Sequence, residues 1–244
     1  RTKAWQITLW SEDNINFLFK YAAILFKSQI QSELISSNVI GSSSIQIKYS
    51  NAFSEGCLIL WNIASILSDS LIYFPLNDKK TREVYKERIE IILQIFYSLQ
   101  NEFLPSIQIN SKSDFTIQNV AFYHTVYSAH YYEILLLIGE ANNEDLTTMT
   151  LNNMIAENFF KAASKINPFP SNFSVQKNNH PCIDIIVNKI SLYRIKSLVS
   201  QSQDEERKLQ MGSSIYYLNL ALEAINSSPK SFRSTEIFTE INQE

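Results

Sequence analysis

The chain has 244 residues, 45% hydrophobic and 18% charged, a balance that supports a sizeable folded core and excludes a disordered chain. Its net charge of -3 gives no whole-molecule reason to expect nucleic-acid binding. Two cysteines, Cys57 and Cys182, cannot form a disulfide framework and fit a reducing compartment, and four glycines argue against a Gly-rich phosphate loop and against a turn-rich all-β fold.

In chain order, the sequence predicts helices almost throughout. "SEDNINFLFKYAAILFKSQIQSEL" opens on Ser11 as an N-cap and repeats Ile15, Leu18, Ala22, Leu25 and Phe26 at helical spacing. A helix over 11–34 is therefore expected, ended by the loop "SSNVIGSSS". "IQIKYSNAF" (45–53) alternates apolar and polar residues, which predicts one short strand near 45–49. The most apolar run, "CLILWNIASILSDSLIYF" (57–74), is interrupted by Asn62, Ser65, Ser68, Asp69 and Ser70. It reads as the central helix of a core, starting near Ser54, and not as a membrane span.

"PLNDKK" breaks that helix, and "TREVYKERIEIILQIFYSLQNEFL" follows as an amphipathic helix closed by Pro105. "SDFTIQNVAFYHTVYSAHYYEILLLIGE" predicts a further long helix with Ser113 as its cap, and "ANNEDLTT" turns the chain. "MTLNNMIAENFFKAASKI" is helical up to Pro168, after which "NPFPSNFSVQKNNHP" has little periodicity. "CIDIIVNKISLYRIKSLVSQ" and "DEERKLQMGSSIYYLNLALEAINSS" predict a last antiparallel pair, with a short terminal helix near 231–242. The expected fold is mostly α: stacked antiparallel helical hairpins in a TPR-like solenoid, with one strand-like segment, over a single domain spanning 1–244. No TPR consensus repeat is present, so that likeness is architectural.

Little in the sequence points to an enzyme. His124 and His130 are six residues apart, on different sides of a helix, which makes them poor metal co-ligands. "HPC" (180–182) sets a thiol near an imidazole in sequence, but no oxyanion hole accompanies it. The acidic pairs Glu144/Asp145 and Glu205/Glu206 read as helix starts, where carboxylates favour the helix dipole. Tyr123, Tyr127, Tyr131 and Tyr132 lack an interleaved basic stripe, so they read as core packing and not as a base-stacking platform. No metal or cofactor is expected.

"IQIKYSNAF" followed by "SEGCLILWNIASIL" resembles the ALIX-type BRO-one domain family, in which a strand ending in "AF" leads into a helix of the type E-x-x-x-L-F-N-x-A-x-L. Here that helix carries Glu55, Leu60, Trp61, Asn62, Ala64, Ile66 and Leu67. In the same order, "INFLFKYAAIL", "AHYYEILLL", "IAENFFKAASKI" and "KLQMGSSIYYLNLALEAI", with Gly212 on the glycine, are similar to further helices of the family. The resemblance implies a divergent member that lacks the family's N-terminal part and the tail after the last helix. It also implies that the strand belongs to a small sheet whose partners lie upstream, in the missing part.

The resemblance further implies a non-enzymatic, cytoplasmic scaffold recruited to endosomes, acting in protein transport to multivesicular bodies and meeting the endosomal membrane only indirectly. Its implied partner is the C-terminal amphipathic helix of an ESCRT-III subunit, docked in an apolar groove. Carried onto this sequence, the docking patch falls on Leu135, Thr147, Met149 and Leu151, with Thr147 where the family has Ile. A neighbouring acid–base pair falls on Asp78 and Arg82. The competing readings are ordinary core burial for Leu135 and Leu151, and a helix cap for Asp78 with a solvated Arg82. A second functional class is a phosphopeptide-binding adaptor of the fourteen-three-three kind, which "YYEI" resembles. Its phosphate pocket would need converging Arg and Lys side chains, and no such cluster shows in the sequence.

Overall fold

A computed structural model describes residues 10–28, 34–37, 46–49, 51–72, 75–107, 115–166 and 181–233. It falls into two compact units: Arg1–Tyr127 with Ile166–Ser174, and Ser128–Lys165 with Val175–Glu244. Both are built on helices, as the periodicity predicts. No described helix is long and apolar enough to cross a membrane.

In the first unit, α1 (Glu12–Lys27) starts at Ser11, whose Oγ accepts the Asn14 N–H at 3.1 Å. Ile15, Leu18, Ala22 and Leu25 are buried on one face. The helix ends at Lys27 and not at 34, because Ser28 turns to extended backbone. Leu34–Ser37 forms β1, paired antiparallel with β2 (Gln46–Tyr49) from Leu34↔Tyr49 to Ser37↔Gln46. The strand expected near 45–49 is therefore present, but its partner lies within this chain and not in an upstream part. Ile30 and Leu34 sit four apart and prolong the helical pattern into β1. Such short apolar runs suit either structure, and pairing decides between them.

α2 (Ala52–Leu71) begins at Asn51, whose Oδ1 accepts the Ser54 N–H at 2.7 Å. Cys57, Ile59, Ile63 and Ala64 are fully buried, which makes α2 the central helix its all-round apolarity predicts. Burial pushes the Cys57 thiol up to about 12. Gly56 brings α1 and α2 together: a Cβ there would stand 2.8 Å from Phe26 Cε1. The Phe26 ring packs against Phe53 and Phe103, with centroids 5.2 and 4.7 Å away. α3 (Lys79–Ser98) packs on α2 and runs on through a π turn, Leu99–Phe103, and a 3-10 turn, Leu104–Ser106. Buried Arg88 on α3 donates to Ser70 Oγ at 2.8 Å and lies 3.8 Å from the Trp10 ring centre, which combines a hydrogen bond with a cation–π contact. Trp61 collects Phe96, Phe115 and Tyr123 around it. The aromatic residues of this helical core are thus packed, as expected for Tyr123.

α4 (Ile117–Asn142) starts at Thr116, whose Oγ1 accepts the Asn119 N–H at 3.1 Å. The expected cap, Ser113, lies outside the described residues. The second unit contains the later part of α4, then α5 (Leu146–Lys165), α6 (Pro181–Arg207), α7 (Met211–Ser227) and α8 (Lys230–Arg233). α5 packs along α6 and α6 along α7, the hairpin pattern predicted. The boundary between the last pair differs from the prediction. "DEER" closes α6, and the turn falls at Lys208–Gln210, with Leu209 at φ 59. No glycine or proline marks that turn, while Gly212 sits inside α7. Glu205 and Glu206 thus lie at a helix end, where the dipole opposes them. Lys208 offsets this by reaching Asp204 at 2.6 Å and Glu205 at 3.1 Å. The terminal helix is described only over Lys230–Arg233, and the rest of 231–242 lies outside the described residues.

Candidate protein-docking surface

Two of the six implied contact residues sit at the start of α3. Asp78 is its N-cap: Oδ1 accepts the Thr81 N–H at 2.9 Å, and Oδ2 accepts the Thr81 hydroxyl. The Thr81 side chain, then its backbone, holds the exposed carboxyl below the usual range. Arg82 Nε donates to the Leu76 carbonyl at 2.7 Å, which ties the preceding loop to the helix. Both residues therefore have a local role as well as one shared helix face.

The other four lie on α4 and α5. The turn between these helices is set by Asn143 at φ 52, a left-handed position that asparagine tolerates, and by the Glu144 N–H donating to Gly139 O at 2.9 Å. Asp145 then caps α5, taking the Thr148 N–H at 2.9 Å and the Thr148 hydroxyl at 2.8 Å. These bonds fix which side chains α5 presents. Thr147 is exposed, Met149 is half-buried and Leu151 is 55% exposed. On α4, Leu135 is half-buried between buried Ile134 and Leu136. Neither Leu135 nor Leu151 is sealed in the core. Gly139 is the seat of Met149: a Cβ there would be 2.8 Å from the Met149 Sδ.

Over residues 151–154 α5 inverts the usual burial order. Asn152 and Asn153 are only 8% and 3% exposed, while Leu151 and Met154 are 55% and 42% exposed. Asn153 Nδ2 donates to Met149 O at 3.0 Å, which partly offsets its burial. Thr147, Leu151 and Met154 follow one another at i, i+4 and i+7, so they form one outward stripe. Met154 is not among the implied contacts. Its sequence signal is that spacing from Leu151, but spacing alone does not tell an outward stripe from an inward one.

Behind Leu135, α4 is pinned to α6. Glu133 Oε1 accepts both Lys189 Nζ and the Tyr193 hydroxyl at 2.5 Å, and Oε2 pairs with His130 Nδ1. Burial pushes this carboxyl up. Hydrogen bonding and charge from His130, with Lys189, outweigh burial and hold it at about 2. Burial and the neighbouring Glu133 charge push the Tyr193 hydroxyl up. Lys189, a cation that could have served a phosphate pocket, is engaged with Glu133.

His124 is half-buried, and burial lowers its pKa. Among the described residues no cluster of three or more His, Cys, Asp or Glu could hold a metal. His180 lies outside them.

The fold that these helical hairpins build is BRO1-like, as its likeness to solved structures shows. Three of the similar solved structures carry the comparison. A structure of ALIX with the SIVmac239 PYKEVTEDL late domain matches with TM-score 0.78 and 13% identity, over 96% of this chain and 35% of that one. An ALIX BRO1–CHMP4C complex matches with TM-score 0.79 and 13% identity, over 96% of this chain and 68% of that one. A Bro1 domain described for endosomal targeting matches with TM-score 0.72 and 17% identity, over 99% of this chain and 69% of that one. The chain thus spans about a third of the first match's length. No family model matches, and no curated protein matches.

Proposed function

We propose that this chain is a non-enzymatic scaffold of endosomal sorting, one BRO1-like domain that docks the C-terminal amphipathic helix of an ESCRT-III subunit. The docking surface is Leu135, Thr147, Met149 and Leu151, extended by Met154. The observation that carries this reading is the inversion over residues 151–154 of α5, where Leu151 and Met154 meet water and Asn152 and Asn153 are buried. An amphipathic helix would cover that stripe with its own i, i+3, i+4 and i+7 anchors. One of the similar structures is an ALIX BRO1 domain with CHMP4C, and another concerns endosomal targeting, which supports the partner class and recruitment to endosomes; a cytoplasmic location belongs to the same proposal. The fourteen-three-three reading is not favoured, because the likenesses reported above are to ALIX and Bro1 structures. Asp78 and Arg82 are proposed as further partner contacts on their own unit, beside their roles in capping and in holding the loop.

The test is titration of a labelled amphipathic ESCRT-III tail peptide against the chain. Leu151→Asp should weaken binding at least ~tenfold, as for an anchor residue, with the helical circular dichroism unchanged. Equal affinity of the variant and the parent chain would remove this surface assignment.

A further inference from the structure

We infer that the docking face is electrically polar along its length, so that the helix it takes carries acidic residues on one side of its apolar anchors and basic residues on the other. This rests on the docking reading above and adds the charge pattern of the partner. Thr147, Leu151, Met154, Asn158, Lys161 and Lys165 are all exposed on α5. They step by 4, 3, 4, 3 and 4, so they form one line along the outer side of the helix. The line starts apolar, passes through a neutral amide and ends on Lys165, about 16 Å beyond Met154.

α6 adds a further cation to that end. Gln201 Nε2 donates to Met154 Sδ at 3.9 Å, and the Phe160 and Tyr193 rings stack with centres 5.9 Å apart. The two helices therefore run antiparallel. Exposed Arg194 follows Tyr193 and lies on the side of α6 that bears Gln201, so it stands level with Lys161 on the flank of Met154. Glu157 Oε1 lies 2.5 Å from Lys161 Nζ and offsets its charge. Lys165 and Arg194 are left to set the sign of this end.

The opposite end has the opposite sign. Glu144 and Asp145 are exposed just before α5, and the Asp145 carboxylate is fixed there by its bonds from Thr148. Apolar contact alone would let an amphipathic helix lie in either direction over Leu151 and Met154. The charges select one direction, because in the other like charges face each other at both ends. On a helix lying along α5, the acidic residues fall roughly two to three turns beyond the anchor that meets Met154, and the basic residues about as far on its other side.

The experiment titrates the whole chain with two designed peptides that share one set of leucine anchors at i, i+3, i+4 and i+7. Both carry lysines before the anchors; the first carries glutamates after them, and the second carries lysines there as well. The parent chain should bind the glutamate peptide at least ~fivefold more tightly at low salt, against its own net charge of -3, and the gap should narrow as salt rises. Lys165→Glu with Arg194→Glu should reverse the preference at unchanged helicity; Lys161 is kept because it neutralises Glu157. A spin label beyond the glutamates should broaden the Lys165 amide signal more than that of Leu146. Equal affinities, a preference that survives the charge swap, or stronger broadening at Leu146 would each overturn the charge polarity, while the docking reading stands if Leu151→Asp still abolishes binding of both peptides. Failure of both peptides to bind the parent chain would remove the docking reading itself and this inference with it.

Discussion

Lys189 Nζ and the Tyr193 hydroxyl both lie 2.5 Å from one oxygen of Glu133. A half-buried carboxylate on α4 thereby gathers two donors one turn apart on α6, and the later part of α4 is held where Leu135 can face outward.

That network predicts an acid dependence. The Glu133 carboxyl is held at about 2 against an ordinary 4.5, so its stabilisation is complete above the ordinary value and is lost as pH falls towards 2. Glu133→Gln should therefore flatten the stability profile between those limits. It should cost about 2–3 kcal/mol at neutral pH, because the donors of α6 lose a charged acceptor in a largely enclosed site. Urea denaturation at several pH values checks both expectations.

The docking stripe predicts a separation of binding from stability. Leu151 is exposed, so Leu151→Asp should change unfolding free energy by less than about 0.5 kcal/mol, while tail-peptide binding is lost. Thr147→Ile should tighten binding by about 1 kcal/mol, since it adds apolar surface to the stripe. Calorimetric titration beside thermal melts distinguishes the two effects.

Two glycines predict opposite outcomes for the same substitution. At Gly56 the obstacle is the Phe26 ring, fixed between Phe53 and Phe103, so Gly56→Ala should cost about 1–3 kcal/mol by overpacking. At Gly139 the obstacles are the ends of two flexible side chains, Glu144 and Met149. Gly139→Ala should leave the melting temperature nearly unchanged but move Met149, and so lower peptide affinity.

Asp78 allows its two roles to be tested apart. Asp78→Ala should lower the melting temperature through the lost cap, and Asp78→Ser should restore most of it. If Asp78 also meets a partner charge, the serine variant will melt normally but bind less tightly, most clearly at low salt. Equal binding by Asp78→Ser and the parent chain would confine the residue to capping.

Much of the fold can be read from local patterns. Ser11 as cap, the α2 core and the helical character of α3 to α6 follow from spacing and capping chemistry acting within a few residues. The errors fall where a local pattern has two solutions. The expected 11–34 helix is too long because Leu34 continues a helical period, yet its backbone finds a partner in Tyr49. The expected α6–α7 boundary is misplaced because Leu209 turns the chain at a positive φ without a glycine. Both outcomes depend on hydrogen bonds that local spacing does not reveal.

The surfaces divide along the same line. The residues Leu135, Thr147, Met149 and Leu151 follow from resemblance in sequence. Their exposure and the addition of Met154 were decided by packing. A helix of given periodicity can turn either face to its neighbours. Which apolar side chains stay in water depends on where α4 and α6 lie against α5, and on long-range bonds such as Glu133 with Lys189. By itself the sequence determined that helices form and which faces could be greasy; only the tertiary contacts decided which of those faces remained uncovered.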